Sequence, residues 1–588
     1  MNELDVKNLI AGVQKPARYI GGEFNIARKD ITDGMVSVAL GYPDSYEIGM
    51  SYLGLKILYH ILNDRDDCVC ERFFSPLPDM ENALRASGNR LFALESKKPL
   101  NEFDVVGFSL CYELTYTNIL NILDLGGIPV FSAARAERDP IVIAGGAGAF
   151  NPEPLAAFID VFFVGDAEET LPAFIEKFGS FRSQGLSRKS ILEELAASMG
   201  NIYVPAFYEA KYEGGDFSAL ERLSSRVPET ISKGHVKDLD GAFYPVKQVV
   251  PYIEVVQDRI AVEIMRGCPN RCRFCQASEI NTPVRVRKPD TILKICKETY
   301  ENTGYDVIAL LSLSSVNYPF LGELVKILSA EFRDKGVGIS IPSLRVDEAF
   351  YQLPEMIAAI KKTGLTFAPE AAGEELRKAI GKNIERSVLC RSAEIAYQNG
   401  WDKLKLYFMV GFPEKGEGEE KEILALAREL SFLRCRSSKG PAEIKISVNP
   451  FIPKPHTAFQ WLGMQSEEKL KASREFLFAH KPKRVMVEFN DIKRSLLEAC
   501  ISRGDRKVAN AIYDAWRAGA KMDSWREFFN FGLWEDAFHK NGIDIHELAT
   551  KTYDIDAPLP WSHIHTSAGQ GSLKRHFLES GFASGQAA

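Results

Sequence analysis

Short apolar runs alternate with stretches whose apolar positions recur at helical spacing through most of this chain, and that alternation predicts its elements. Met35–Leu40 reads as a strand, and Tyr52–Leu62 as the helix after a turn. The unit repeats. Asp104–Leu110 precedes the helical pattern Tyr116–Leu123, Ile141–Ala144 runs into Gly145-Gly146, and Asp160–Gly165 precedes a helix from about Glu168 to Phe178. Strands alternating with helices predict a parallel, doubly wound, Rossmann-like α/β domain over 35–178, with ligands where loops leave the carboxyl ends of strands. A polar leader, 1–34, precedes it. A connecting subdomain of short strands and Pro-bearing turns, 179–252, follows, with turns at Gly214-Gly215 and Gly234-His235.

The rhythm returns over 253–480. Ile260–Met265, Val307–Leu311, Val337–Ile341, Leu365–Ala368, Lys403–Val410 and Glu443–Val448 predict six parallel strands, too few to close an eight-stranded barrel. Their carboxyl ends carry Ser312–Ser315, Ser343–Arg345, Pro369–Gly373, Gly411–Pro413 and Asn449-Pro450. Lys294, Lys297, Lys361, Lys362, Lys378 and Lys382 read as solvated helix faces around this core. An α-rich extension, 481–588, opens with one further strand, Arg484–Phe489, and continues with amphipathic helices at Ile492–Ala499, Val508–Gly519 and Trp525–Lys540. Its last residues, Ser580–Ala588, read as frayed.

At 588 residues the chain exceeds one ordinary core. A net charge of -7 gives no footprint for wholesale nucleic-acid binding, so RNA is not indicated as a partner. The amino terminus lacks the basic-then-apolar order of a secretory signal and no long apolar run exists, so the expectation is a cytoplasmic protein without membrane contact. Ten dispersed Cys do not resemble a secreted disulfide framework. Cys296, Cys390, Cys435 and Cys500 read as small buried hydrophobes.

Three cysteines stand apart. Cys268, Cys272 and Cys275 follow the strand Ile260–Met265 in the stretch Gly267–Cys275. Their intervals also suit one face of a helix, but Gly267, Pro269 and Asn270 bend the chain into a loop. Closed zinc coordination needs a fourth ligand, and no His or further Cys lies nearby in sequence. An iron-sulfur cubane held by three thiolates keeps one iron open to an external ligand.

The spacing C-x3-C-x2-C, with Phe274 just before the last Cys, resembles the signature of the radical S-adenosylmethionine (radical SAM) enzymes. The resemblance implies a 4Fe-4S cluster on the three Cys and a six-stranded partial βα barrel over 253–480. It further implies reductive cleavage of S-adenosylmethionine to methionine and a 5′-deoxyadenosyl radical, with an electron donor such as flavodoxin or ferredoxin. By position in the family's barrel, Phe274 borders S-adenosylmethionine, Ser312 and Ser314 approach its amino group, Glu370 and Arg377 its ribose or carboxylate, and Gly411 and Pro413 its adenine. The family's Gly-Gly-Glu stretch is replaced by Ser-Leu-Ser-Ser, and Ser312 and Ser314 also suit a capping role, as Glu370 suits an ordinary salt bridge.

The first domain resembles the cobalamin-binding domain that precedes many radical SAM cores. Asp44 and Gly49 match its D-x-H-x-x-G pattern, Ser109, Gly145 and Gly146 stand at its other loops, and Tyr46 replaces the His that ligates cobalt. Cobalamin, if held, is expected to lack a His beneath the metal; a ligand-free domain with strand-end turns is the other reading. The Phe451–Trp461 segment resembles the exit from several radical SAM cores, with Lys454 and His456 facing substrate or standing in an exposed turn. The whole order resembles a bacterial radical SAM family of unassigned activity, often fused to a radical-SAM-linked domain that this sequence lacks. That resemblance brings no known substrate. If the first domain holds cobalamin, methyl transfer to an unactivated carbon is the expected outcome, with radical rearrangement or methylthiolation of RNA as alternatives; the rival reading is a non-catalytic RNA- or ribosome-binding protein with a structural or redox-sensing cluster. His563 and His565 have a spacing that suits a metal on a strand, with no third candidate beside them.

Overall fold

The computed structural model describes residues 3–30, 32–342, 365–437 and 440–582. Strands β1 (Val36–Tyr42), β2 (Cys68–Phe74), β3 (Val105–Ser109), β4 (Ile141–Gly145), β5 (Val161–Phe163) and β6 (Ile202–Tyr203) form one sheet in the order β2-β1-β3-β4-β5-β6. Every pairing is parallel except β5 with β6. Helices Leu53–Asn63, Tyr116–Leu125 and Thr170–Ser183 follow their strands as the doubly wound pattern requires. Residues Val36–Gly41 are buried, as a sheet covered on both faces demands.

Two elements escape the apolar pattern. β2 contains Glu71 and Arg72, which break its run. Both are buried and paired, Arg72 with Glu23 at 2.9 Å and Glu95 at 2.6 Å, and Glu71 with the backbone N–H and hydroxyl of Ser96. Within the segment read as strands and turns, Arg188–Ser198 is a helix capped by the Ser187 hydroxyl. The strands expected there are the hairpin Tyr208–Glu213 with Asp216–Arg222.

The second region has β7 (Ile260–Glu263), β8 (Val307–Leu311) and β9 (Gly338–Ser340) in one parallel sheet. A second holds β10 (Leu365–Glu370), β11 (Lys403–Val410), β12 (Glu443–Pro450) and β13 (Val485–Phe489), also parallel and in chain order. β13 is the added strand beyond the expected six. Along β11, Leu404, Leu406, Phe408 and Val410 are buried, whereas Lys405, Tyr407 and Met409 are half-buried. One face is therefore sealed by helices such as Glu419–Leu433 and the other faces a looser interior. Ser343–Arg345, Lys361, Lys362 and the tail 583–588 lie outside the described residues. Lys382, expected on a solvated face, is instead half-buried beside Glu370 at 3.9 Å.

The C-terminal extension binds the two regions together. Helix Val508–Arg517 packs on Tyr116–Leu125, and the hydroxyl of Thr117 donates to Asp523 at 2.9 Å. Asn151 donates to the carbonyls of Ser502 and Gly504. The helix read from Trp525 begins only at Phe531, because Ser524 and Trp525 are held by Asp44. Among the described residues no helix is long and apolar enough to cross a membrane.

Candidate functional site

The three-cysteine loop leaves the carboxyl end of β7 through Gly267, at φ 89°. A Cβ there would stand 2.8 Å from the Asn281 carbonyl oxygen, so only glycine lets the chain turn so close to the returning strand. Cys272 is buried, and Cys268 and Cys275 are half-buried. Among the described residues no three His, Cys, Asp or Glu side chains gather closely enough for a single metal ion. In a cubane each thiolate takes its own iron, so three thiols on one bent loop can hold three irons and leave the fourth open.

Arg273 clamps this loop. Its backbone N–H donates to Ile380 O at 3.0 Å, and its guanidinium donates to the carbonyls of Lys378, Ala379 and His576. The neighbouring Phe274 packs against an apolar cluster containing Phe412 and Phe451, whose rings stack 4.4 Å apart between Gly411 and the following strand exit. Pro413 is half-buried beside it. On the other side, the Asn270 amide donates to Cys268 Sγ at 3.4 Å and to Asn317 Oδ1 at 2.8 Å. The sequence marks Asn270 only as a residue that bends the loop and gives no role to Asn317 or Arg273; a polar residue inside a ligand loop is the available signal.

Ser312 and Ser314 sit at the end of β8 as expected, but with partners of their own. The Ser312 and Ser315 hydroxyls lie 2.9 Å apart, and Ser314 donates to Asn317 at 2.7 Å. Glu370 ends β10 at φ 65°, and burial pushes its carboxyl up to about 6, with Lys382 opposing. The Arg377 side chain is buried and donates through Nε to the Ile384 carbonyl and through Nη1 to those of Ala371 and Ala372, so it braces its own loop.

Glu419 lies against the same loop, accepting from the backbone N–H groups of Ala372 and Gly373. Burial pushes its carboxyl up to about 7 from 4.5. A carboxyl raised in the folded state favours folding when protonated, and that advantage fades as pH rises from about 4.5 through about 7. Glu419→Gln should therefore gain thermal stability relative to the parent as pH rises from 5 to 8. Melting curves across that range check this, and a parallel pair of profiles would refute it.

Between the carboxyl ends of both sheets lies a cavity of about 530 Å³. Ser109, Gly145 and Gly146 line it from the first domain; Met265, Gly267 and Ser312 line it from the second. Its charged wall is Arg266, bonded to Glu168 at 2.6 Å and Glu263 at 2.8 Å, with Asp166 at 3.2 Å. Burial opposes the charge of Asp166, but Arg266 and Arg285 hold its carboxyl below the usual range.

Asp44, Tyr46 and Gly49 are not on this wall, which corrects the sequence expectation. Asp44 accepts from Trp525 Nε1 at 2.8 Å and the Ser524 hydroxyl at 2.9 Å. The Tyr46 hydroxyl donates to Glu23 at 2.9 Å, and its ring stands edge-on to Phe74. A Cβ on Gly49 would meet the Phe74 ring at 2.3 Å. The motif thus ties a loop to its own domain and to the C-terminal extension. Tyr52 and Cys111 line the cavity instead, and burial raises the Cys111 thiol while the neighbouring Tyr52 and Tyr42 phenols oppose that rise. Both stand within a few residues of positions read as ligand-facing.

Lys454 and His456 are not in an exposed turn. Lys454 is half-buried between Glu113 at 2.7 Å and Glu498 at 2.8 Å. His456 is buried, its Nε2 is 2.8 Å from Phe150 O, and burial lowers its pKa to about 4, so it stays neutral. Neither lines the cavity. His563 is buried near Glu153 while His565 is exposed, so the two do not converge.

Residues 54–205 match the family described as radical SAM proteins, N-terminal, and residues 262–427 match the radical SAM superfamily. An uncharacterised protein of Methanocaldococcus jannaschii is 28% identical over 479 residues, covering 81% of this chain and 90% of that protein. Among solved structures, the radical S-adenosylmethionine methyltransferase TsrM from Kitasatospora setae, with cobalamin and a 4Fe-4S cluster bound, aligns at TM-score 0.51 and 13% identity. That alignment covers 86% of this chain and 100% of TsrM. Apo OxsB, a cobalamin-dependent S-adenosylmethionine radical enzyme, aligns at TM-score 0.44 and 14% identity over 67% of this chain and 52% of its own. At 13% identity the likeness to TsrM is one of fold. The two sequence matches fall in chain order on either side of the cavity, so the chain carries a match to the radical SAM N-terminal family ahead of a match to the radical SAM superfamily.

Proposed function

We propose that this protein reductively cleaves S-adenosylmethionine at a 4Fe-4S cluster held by Cys268, Cys272 and Cys275, and that it holds cobalamin in the interdomain cavity to transfer a methyl group to a substrate carbon. The observation that carries this reading is the cavity itself, which is walled at once by Ser109, Gly145 and Gly146 and by Gly267, the residue ahead of Cys268. When bound, the cluster supplies the electron that breaks the sulfonium bond and the corrinoid supplies a methyl carrier.

The chain's own residues bind, orient and exclude water. Phe274 offers an apolar edge beside the cluster loop, and Ser312 offers a hydroxyl at the cavity wall. Lys382, whose charge acts on Cys275, and Glu370, 3.9 Å from Lys382, offer a cation and an acceptor for the polar end of S-adenosylmethionine. Small residues at Ser109, Gly145 and Gly146 leave room for a bulky planar ligand. Tyr52 and Cys111 stand on the cavity wall and both are neutral: the neighbouring Cys111 and burial raise the Tyr52 phenol, and burial raises the Cys111 thiol. An external one-electron donor completes the scheme.

The test is anaerobic reconstitution with iron and sulfide, then incubation with S-adenosylmethionine and a low-potential reductant. Appearance of methionine with 5′-deoxyadenosine, joined by S-adenosylhomocysteine when a methyl-accepting corrinoid is present, supports the reading. Neither product from a protein loaded with four irons would sink it.

A further inference from the structure

We propose that Asn270 tunes the reduction potential of the iron-sulfur site through its amide hydrogen bond to Cys268. The inference rests on the reading of the three-cysteine loop as a cluster site. The Asn270 amide has two hydrogens and three acceptors: Cys268 Sγ at 3.4 Å, Ser314 Oγ at 3.3 Å and Asn317 Oδ1 at 2.8 Å. Asn317 takes one hydrogen outright. The other is shared between the sulfur and Ser314.

Ser314 takes its share as an acceptor, since its own hydroxyl hydrogen goes to Asn317 at 2.7 Å. The residue is buried, so the three side chains form a triangle beside the thiolate and the sulfur receives part of one amide hydrogen. A hydrogen bond donated to a ligand sulfur stabilises the extra negative charge of the reduced cluster and raises its potential. The step concerned is a one-electron reduction by an external low-potential donor; no bond forms or breaks and no proton moves.

Asn270 is not what holds the loop in shape. Arg273 does that from the other side, through its backbone N–H to Ile380 and its guanidinium to the carbonyls of Lys378, Ala379 and His576. Removing the Asn270 amide should therefore leave a loop that still takes up iron. The same triangle joins the cluster loop to the end of β8, where Ser312 meets the cavity, so a ligand that moves Ser314 also alters what the amide gives to the sulfur.

Asn270→Leu keeps the bulk and removes both donors; Asn270→Asp keeps the shape and puts a negative charge beside the sulfur. Full-length parent and variants are reconstituted, iron and sulfide are counted, and the midpoint potential is read by EPR-monitored potentiometry. The expected result is full loading in all three and a midpoint shifted negative in Asn270→Leu, and further negative in Asn270→Asp. A fully loaded Asn270→Leu with the parental midpoint overturns the proposal. So does loss of the cluster in both variants from a parent that loads normally, since Asn270 would then be a brace. A parent that takes up no iron fails at the earlier step and ends this inference with the reading beneath it.

Discussion

Cys272→Ala is expected to leave a folded protein that no longer holds a complete cluster and releases no 5′-deoxyadenosine above background. Cys272 is the buried member of the three and its carbonyl accepts from Cys275 N at 3.0 Å, so it anchors the turn that sets the other two thiols apart. Alanine keeps that backbone bond and removes only the sulfur. The measurement is iron and sulfide per chain with the EPR signal of the reduced protein, alongside product release. Cys296→Ala is the comparison. Its thiol is buried in the apolar core around Ile292 and Leu324, and burial pushes it up to about 12, so it is inert and its loss should touch stability alone. Four irons and an unchanged signal in Cys272→Ala would remove this residue from the ligand set.

The contrast between that loop and the rest of the site explains what the chain betrays in one dimension. Cys268, Cys272, Phe274 and Cys275 fall within eight consecutive positions, so their geometry is local and legible from spacing and turn residues. The strands of both sheets are legible where apolar runs are unbroken. β2 is not, because Glu71 and Arg72 are buried through partners from residues 23, 95 and 96 that no local pattern announces. The cavity is harder still: its walls come from residues 40 to 313, and which of them face it depends on how two domains dock. The Asp44–Gly49 motif shows the cost of reading such a site by analogy. Its residues are where the pattern puts them in sequence, yet Trp525 and Glu23 have claimed their polar atoms. Lys454 and His456 mislead in the same way, since the prolines around them suggest an exposed turn and Glu113, Glu498 and Phe150 close over it.

The second large effect follows from the same docking. Ser109→Trp should abolish retention of a corrinoid while leaving iron uptake intact, because residue 109 lines the cavity at the end of β3 and a bulky ring there occupies the space the ligand needs. Gly145→Leu, from the neighbouring strand, should do the same. Its Cβ would meet nothing closer than Phe163 at 3.4 Å, so the side chain can be built without disturbing the sheet. Retention at least about tenfold weaker, about 1.4 kcal/mol, is the expected scale. Tyr46→Phe separates this prediction from the sequence motif. It costs about 1–3 kcal/mol of stability by taking a donor from buried Glu23. It should nevertheless leave corrinoid retention unchanged, because Tyr46 faces Phe74 and not the cavity. Purification from cobalamin-fed cells, followed by absorption spectra and iron counts, compares all three with the parent. If Tyr46→Phe lost the corrinoid and Ser109→Trp kept it, the ligand would have to sit at the motif loop, and the cavity between the sheets would serve something else.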